Sequence, residues 1–395
     1  MREPVPPDRM PTTPKPRNWM LDCLRLVAVV VVIWHHQLGS EAVQVLPGLW
    51  RVSVQGGWVG VDLFFVLSGY LVGGLLFEEQ VRCGSIDWKR FLIRRGLKIY
   101  PAFYVLLAVI LLPLVLHHEL PERRRIIGEV FFLQNYLGGL RDHTWSLAVE
   151  EHFYLLLTAL VVWLSRRKPT QPDPFTAIPL VFVGVAVVCL GLRIATSLLV
   201  PQSINGPYVG THLRLDALGF GVLLAYAAQF HGPVLRHWLE PRRPWLVLAG
   251  VLLLLPAYVL PAGTGLGLLR TLGYTTNYLG AGLLVAVAAI RAPEIPPRWL
   301  GWLAAIGAYS YSIYLWHLEV IRRLYGKLHL EWGWSPWTTA GCCLLGSLVI
   351  GVVLGRCVEW PVLWWRNRVF PSRSGVGNSD PKVVEAQTPT ATIPR

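Results

Sequence analysis

The sequence predicts an all-α, polytopic membrane helix bundle of about ten transmembrane helices, and three observations carry that expectation. Of the 395 residues, 53% are hydrophobic and only 15% are charged, a balance unsuited to a water-soluble chain of this size. Apolar runs recur at 20–39, 57–77, 98–116, 146–164, 178–200, 212–230, 245–260, 271–290, 301–320 and 338–356, each near the roughly 17 to 25 residues that a spanning helix needs. Lys and Arg gather between alternate runs, in RCGSIDWKRFLIRRGLK (82–98), SRRK (165–168), RHWLEPRR (236–243), Arg291 with Arg298, and the Arg356 to Arg368 region. Cytoplasmic loops carry that signal. An even number of spans returns the chain to its starting side, so both termini are expected in the cytoplasm. The net charge of +13 belongs to these topology clusters, and no nucleic-acid role is expected.

Residues 1–18 are Pro-rich, contain Arg2, Arg9, Lys15 and Arg17, and are expected to form a flexible cytoplasmic leader. No cleavable signal peptide is expected, because no small-residue cleavage site follows the first apolar run. Residues 19–365 form the membrane domain and 366–395, rich in Ser, Pro and Thr towards the end, a disordered cytoplasmic tail. The apolar piece VFFLQNYLGGL (130–140) is too short to cross and suits a re-entrant or interfacial segment. Arg123, Arg124 and Arg125, and then Arg322, Arg323 and Lys327, oppose the orientation rule on the expected outer side; either those loops meet an anionic substrate or the boundaries differ there. The six cysteines form no CxxC pair or His/Cys cluster, so neither a disulfide framework nor a metal site is expected.

The first span, LDCLRLVAVVVVIWHH (21–36), keeps Asp22, Arg25, His35 and His36 within an apolar helix. Ionisable groups in a bilayer cost several kcal/mol unless paired or wetted, so a chain that retains them usually uses them. Arg25 and His36 stand eleven residues apart, which on a helix brings them within about 20° of one face and about 16 Å apart along the axis. Asp22 and Arg25 serve equally well as headgroup anchors; His36, well inside, points to function.

In the second span, GGWVGVDLFFVLSGYL (56–71) places Asp62 about two turns in, at a height expected to match His36. A carboxylate there orients an imidazole and stabilises its protonated form; otherwise Asp62 caps the helix start and the glycines allow close packing. At the start of the third span Arg94, Arg95 and Lys98 share helical spacing. They suit a multiply phosphorylated ligand, although topology alone accounts for basic residues at such a boundary. HTWSLAVEEHFYLL (143–156) sets Glu150 and Glu151 side by side, with Trp145 as an interfacial aromatic or substrate contact. An acidic helix cap explains one acid better than two. GAYSYSIYLWHLEV (307–320) supplies Ser310 and other hydroxyls, which packing also explains, and His317, which either borders an acceptor site or marks the membrane boundary.

Together these stretches resemble acyltransferase family 3, the integral membrane O-acyltransferases. Five motifs carry the resemblance, in order over residues 20 to 320: Arg25 with His36, GVDLFFVLSGYL, RRGLKIYP, WSLAVEEHFYLL and YSIYLWH. The resemblance implies ten spans with both ends cytoplasmic, and transfer of an acyl group, usually acetyl from cytoplasmic acetyl-CoA, to a hydroxyl of a sugar, glycan or other product. It implies His36 as catalytic histidine with Arg25 as its partner, Arg94, Arg95 and Lys98 at the donor, and Asp62 and Glu150 near the transfer site, with Glu151 beside it. Lys98 stands where Arg is common, and His152 where Gln is common. Some members carry a C-terminal extracytoplasmic hydrolase-like domain, which this chain is expected to lack.

The sequence therefore predicts an acyltransferase of the cell inner membrane, with acyl-CoA as donor, a carbohydrate or lipid-linked glycan (O-antigen or exopolysaccharide) as acceptor, membrane lipid as its surroundings, and no metal. A macrolide-like acceptor remains an alternative, and so does a proton-coupled transporter of a lipid-linked sugar, because buried His, Asp, Glu and Arg also mark transport paths.

Overall fold

A computed structural model describes residues 18–37, 48–169, 171–199, 209–260, 267, 269–290 and 295–374. All but one of the residues of the expected leader, and the tail from residue 375, lie outside them. Among the described residues every regular element is helical. In order these are α1 (Trp19–His36), α2 (Gly48–Gln55), α3 (Val59–Cys83), α4 (Trp88–Leu116), α5 (Arg123–Val130), α6 (Gln134–Leu137), α7 (Trp145–Arg167), α8 (Ile178–Leu199) and α9 (Leu215–Phe230). The series continues with α10 (Gly232–Leu239), α11 (Arg243–Leu254), α12 (Pro256–Val259), α13 (Tyr274–Ile290), α14 (Arg298–Gly307), α15 (Ser310–Tyr325), α16 (Pro336–Leu354) and α17 (Trp360–Val369).

Local chemistry sets the boundaries. Asn18 caps α1 by accepting the Met20 N–H at 3.0 Å, and Asp87 caps α4 by accepting the Arg90 N–H at 3.1 Å, each satisfying a backbone donor that the first turn leaves open. α3 stops at Gly84, whose φ of +67° is the left-handed conformation that suits glycine at a helix end.

Among the described residues eight helical stretches are long and apolar enough to cross a membrane: Trp19–His36, Arg51–Cys83, Trp88–Leu116, Asp142–Arg167, Ile178–Leu199, Gly232–Val259, Thr271–Ile290 and Pro336–Val369. Two of the ten expected spans differ. The run at 212–230 becomes α9, apolar but only 16 residues long, because a 3-10 turn over Thr211–Leu213 takes its first residues. The run at 301–320 breaks between α14 and α15. The expected tail boundary at 366 falls inside α17, which continues to Val369.

α1, α3, α9 and α13 pack together, α7 and α15 close against α1 and α3, and α16 lies along α15. Without a hydrophobic drive between helices in lipid, close backbone approach decides such contacts. The α3–α9 pair shows it: a Cβ at Gly69 would fall 1.9 Å from the Leu218 carbonyl oxygen, and one at Gly221 2.2 Å from that of Val66. Between α5 and α7 the chain turns irregularly through 131–144, with Phe132, Gln134, Asn135 and His143 buried. This is the stretch expected as re-entrant or interfacial; it is partly covered by protein, with Phe131, Leu133 and Tyr136 exposed.

Candidate active site

His36 ends α1 and is turned towards α15. Its ring centroid is 5.1 Å from that of His317, and His317 is 5.0 Å from His143, which comes from the 3-10 turn ahead of α7. Tyr314, one turn before His317, joins them: its hydroxyl donates to the His143 carbonyl oxygen at 2.9 Å and lies 2.7 Å from the Ser146 hydroxyl. His143 and His317 are buried, at 2% and 0% exposure. Each ring is oriented by a backbone carbonyl, His36 Nδ1 by Val32 (2.9 Å), His317 Nδ1 by Tyr314 (2.5 Å) and His143 Nε2 by Leu315 (3.1 Å). A carbonyl oxygen only accepts, so each of these nitrogens carries the hydrogen and the opposite nitrogen of each ring is a bare lone pair. The carboxylate whose charge reaches His36 is the exposed Asp142.

The loop that presents His143 is fastened by Glu129. Its buried carboxylate accepts the Leu140 N–H at 2.7 Å and the Thr144 hydroxyl at 2.9 Å. Burial pushes this carboxyl up and the two hydrogen bonds draw it down. Arg125 donates from Nε and Nη2 to the Gly139 carbonyl oxygen at 2.9 and 2.5 Å, and Arg141 pairs with Glu319 of α15. Part of the basic segment 123–125 is thus used to hold the loop.

From the histidines a polar seam runs along α7 and α15 towards the Arg25 end of α1. On α7 it passes through Ser146, Glu150, Glu151 and Tyr154. The Tyr154 hydroxyl donates to Glu150 at 2.6 Å and meets Ser68 of α3 at 2.6 Å, while the Tyr100 hydroxyl of α4 donates to Glu151 at 2.9 Å. Arg95 lies over the Tyr154 ring, 4.6 Å from its centroid, the arrangement in which a ring face attracts a cation. Arg95 and Arg25 both act electrostatically on Glu150, and Arg25 also binds Asp22 at 2.9 Å. The two glutamates expected beside the histidine therefore sit along the seam, among the cations. His143 and Tyr154 are eleven residues apart on the sequence, about 16 Å if helical throughout.

At its far end, α4 and α17 bring three guanidinium groups together. Arg366 Nη1 donates to the Arg94 carbonyl oxygen at 3.2 Å, and Arg366 lies within electrostatic reach of Arg94 and Arg95. The other Arg366 bonds go to the neutral Asn367 side chain. Arg95 Nε is buried without a hydrogen-bond partner, and Arg94 donates to the Phe370 carbonyl oxygen. Lys98, expected in this cluster, is instead paired with Glu359, which also accepts from Ser312. Arg366 was not legible as a partner: it stands 271 positions beyond Arg95 in a stretch expected to be tail. His143 was visible only as the first letter of a motif chosen for its acids.

Asp62 does not hold the imidazole. The α1–α3 contact, where Gly57 abuts Val31 and His35 and Gly60 abuts Ala28, runs antiparallel and carries Asp62 deeper than His36. Its carboxylate accepts from Arg214 Nη2 at 2.6 Å and Asn277 Nδ2 at 3.3 Å. Arg214 stacks on Tyr274 (3.9 Å) and approaches Trp145 (5.5 Å), so Trp145 packs in this second centre, edge-on to Phe65. A parallel pair, Arg193 with Asp216 at 2.7 Å, lies fully buried nearby. Ser310 is buried at the start of α15, two turns from His317. His152 bonds Thr211 at 2.7 Å, away from the three-histidine group. Among the described residues no group of His, Cys, Asp and Glu has a geometry that would hold a metal ion.

The acyltransferase-domain family model (Acyl_transf_3) matches residues 18–356. The chain is 31% identical over 332 residues to the protein named "Putative O-acetyltransferase SACOL0978" of Staphylococcus aureus strain COL, covering 76% of this chain and 50% of that one. It is 30% identical over 325 residues to "O-acetyltransferase OatA" of Staphylococcus aureus strain NCTC 8325 / PS 47, with the same shares covered. The chain thus spans about half the length of the curated relatives it matches. No solved structure matches it. With a match over most of its length and its apolar helices, this chain is a multi-pass membrane protein that belongs to the acyltransferase-domain family.

Proposed function

We propose that the protein is an O-acyltransferase of the cell membrane that moves an acyl group, acetyl by preference, from cytoplasmic acyl-CoA to a hydroxyl of an envelope carbohydrate. One observation carries the reading: polar side chains on successive turns of α7, Ser146, Glu150 and Tyr154, stand between a cluster of arginines at one end and a cluster of histidines at the other. Arg94, Arg95 and Arg366 suit the phosphates of a nucleotide-bearing donor, since guanidinium groups form paired hydrogen bonds to phosphate. The seam between the two clusters has hydroxyls and carboxylates enough to line an extended, amide-containing arm.

At the other end His36 acts as general base. Val32 fixes the hydrogen on Nδ1, which leaves Nε2 to take the proton of an acceptor hydroxyl as its oxygen attacks the thioester carbon. The C–S bond breaks, the thiolate leaves towards the arginines, and the ester stays with the acceptor. Both termini lie in the cytoplasm on this reading.

The relatives are named O-acetyltransferases, which supports transfer to oxygen. The fully buried Arg193–Asp216 and Arg214–Asp62 pairs are what would favour a transporter of a lipid-linked sugar instead. Mass spectrometry of envelope glycans from cells with wild-type protein, with His36→Ala at equal membrane level, and with neither separates the two. The enzyme reading expects loss of one acyl group per modified sugar in the last two; an unchanged acyl content with His36→Ala would remove it, and relocation without covalent change would support transport.

A further inference from the structure

Beyond α17, residues 370–374 run along the start of α4 and the end of α3, and arginines hold their backbone in turn. Arg94 donates to the Phe370 carbonyl oxygen, Arg90 Nε to that of Pro371 at 3.0 Å, and Arg82 Nη1 to that of Ser374 at 3.0 Å. The Cys83 thiol adds a contact to the Arg373 carbonyl oxygen at 3.7 Å. Arg90 and Arg94 are four residues apart on α4 and so share a face. A carbonyl oxygen meets the geometry of a guanidinium but brings no net charge, and a hydrogen bond to an ionised acceptor is roughly twice as strong. The nearby carboxylates are engaged otherwise. Glu79, within electrostatic reach of Arg90 and Arg94, accepts the Asp87 N–H at 2.9 Å and pairs with Arg373 at 3.3 Å. Asp87 caps α4 and lies 3.9 Å from the same Arg373.

We propose that Arg90 joins Arg94 as a ligand of the donor's phosphates, and that residues 370–374 are a displaceable cover whose carbonyl oxygens occupy the places that phosphate oxygens take. Arg373 is the latch of this cover. Its ion pairs with Glu79 and Asp87 are charged contacts that tie the segment to α3 and α4, whereas Phe370, Pro371 and Ser374 offer neutral acceptors. A phosphate-bearing donor exchanges those neutral acceptors for ionised ones, which favours opening. A molecule with the same arm and no phosphate makes no such exchange and leaves the cover down. While the cover is down the site is closed to donor, so the apparent affinity is lowered by the fraction of molecules that stand open. The cover also gives the guanidinium groups of Arg90 and Arg94 hydrogen-bond acceptors when no donor is bound.

This inference rests on the acyl-CoA reading, and the two fail separately. Full-length protein in lipid nanodiscs is titrated with CoA by calorimetry, then exposed briefly to trypsin alone, with saturating CoA or with pantetheine, and cleavage after Arg373 is followed by mass spectrometry. Absence of saturable CoA binding by both wild type and Arg373→Gln removes the donor reading and this inference with it. With binding shown, CoA should speed cleavage after Arg373 by at least about threefold, because cleavage tracks the population of the opened segment, and pantetheine, which lacks phosphates, should not. A rate unchanged or lowered by CoA, or raised equally by pantetheine, would overturn the cover while leaving the donor reading intact. Arg90→Gln and Arg373→Gln each remove one positive charge and should act in opposite directions on CoA affinity. Arg90→Gln should weaken binding about tenfold, the scale of one charge-assisted hydrogen bond, and Arg373→Gln, by freeing the latch, should tighten it about threefold. Weakening by both would mean that the two act only through their charge, and it overturns the proposal, as does wild-type affinity in Arg373→Gln. The proteolysis uses the wild-type protein, so it decides the matter even where a variant fails to fold.

Discussion

At the scale of single residues, the cation partners decide which charges are available. Lys98 belonged to the basic run, but Glu359 pairs with it, and Arg366 comes to stand with Arg94 and Arg95 in its place. Arg366→Gln should therefore raise KM for acetyl-CoA by about tenfold, the loss of one charge-assisted hydrogen bond of about 1.5 kcal/mol, with kcat nearly unchanged in steady-state assays. Lys98→Gln should act first on stability, since it strands the buried Glu359 carboxylate; the double variant with Glu359→Gln should regain the unfolding temperature. Arg214 and Asp62 are 2% and 1% exposed as side chains, and removing one partner of such a pair costs about 3 to 5 kcal/mol. Arg214→Ala should thus lower the thermal unfolding temperature sharply in detergent, and Arg214→Met with Asp62→Leu should restore much of it. No pattern in the sequence separates these outcomes, because a run such as RRGLK reports which residues are charged and says nothing of where their counter-ions are.

At the scale of elements, the loop from α5 to α7 and the tight helix contacts are the parts to test. Glu129→Ala releases two donors at once, the Leu140 N–H and the Thr144 hydroxyl. Amide exchange over 138–144 should rise and kcat fall, with donor KM unchanged, because the loop carries His143 and touches nothing at the arginine end. In α3, Gly69→Ala puts a methyl 1.9 Å from the Leu218 carbonyl oxygen, so α3 and α9 must part. The expected outcome is a loss of stability at or above the roughly 1 to 3 kcal/mol of an overpacked core, read as lower membrane yield and unfolding temperature. Helix positions were legible from hydropathy alone, to within a few residues for most spans. The breaks were harder: the turn at Thr211–Leu213 and the interruption after Gly307 fall inside apolar runs, where hydropathy is blind to backbone geometry.

At the scale of the whole molecule, the described residues of the bundle hold two polar centres. One is the seam between α7 and α15, open in chemistry from arginine to histidine; the other is the pair of closed ion pairs among α3, α8, α9 and α13. Of the ten expected spans, eight are long apolar helices among the described residues, and the other two are the short α9 and the broken α14–α15. If all ten cross, reporter fusions at both the N-terminus and the C-terminus should be active on the cytoplasmic side; opposite locations would mean that one of those two short elements does not cross.

The sequence by itself determined the class of molecule, the order of its spans and the kinds of residue at its heart, because hydropathy, basic-loop patterning and short motifs are properties of neighbouring residues. Only the tertiary structure decided the partners: that His36 meets His317, which meets His143, and not Asp62, that Lys98 is taken by Glu359, and that Arg366 returns to Arg94. Each of those pairings joins positions far apart in the chain, and such distances are fixed by how helices pack, which no local pattern encodes.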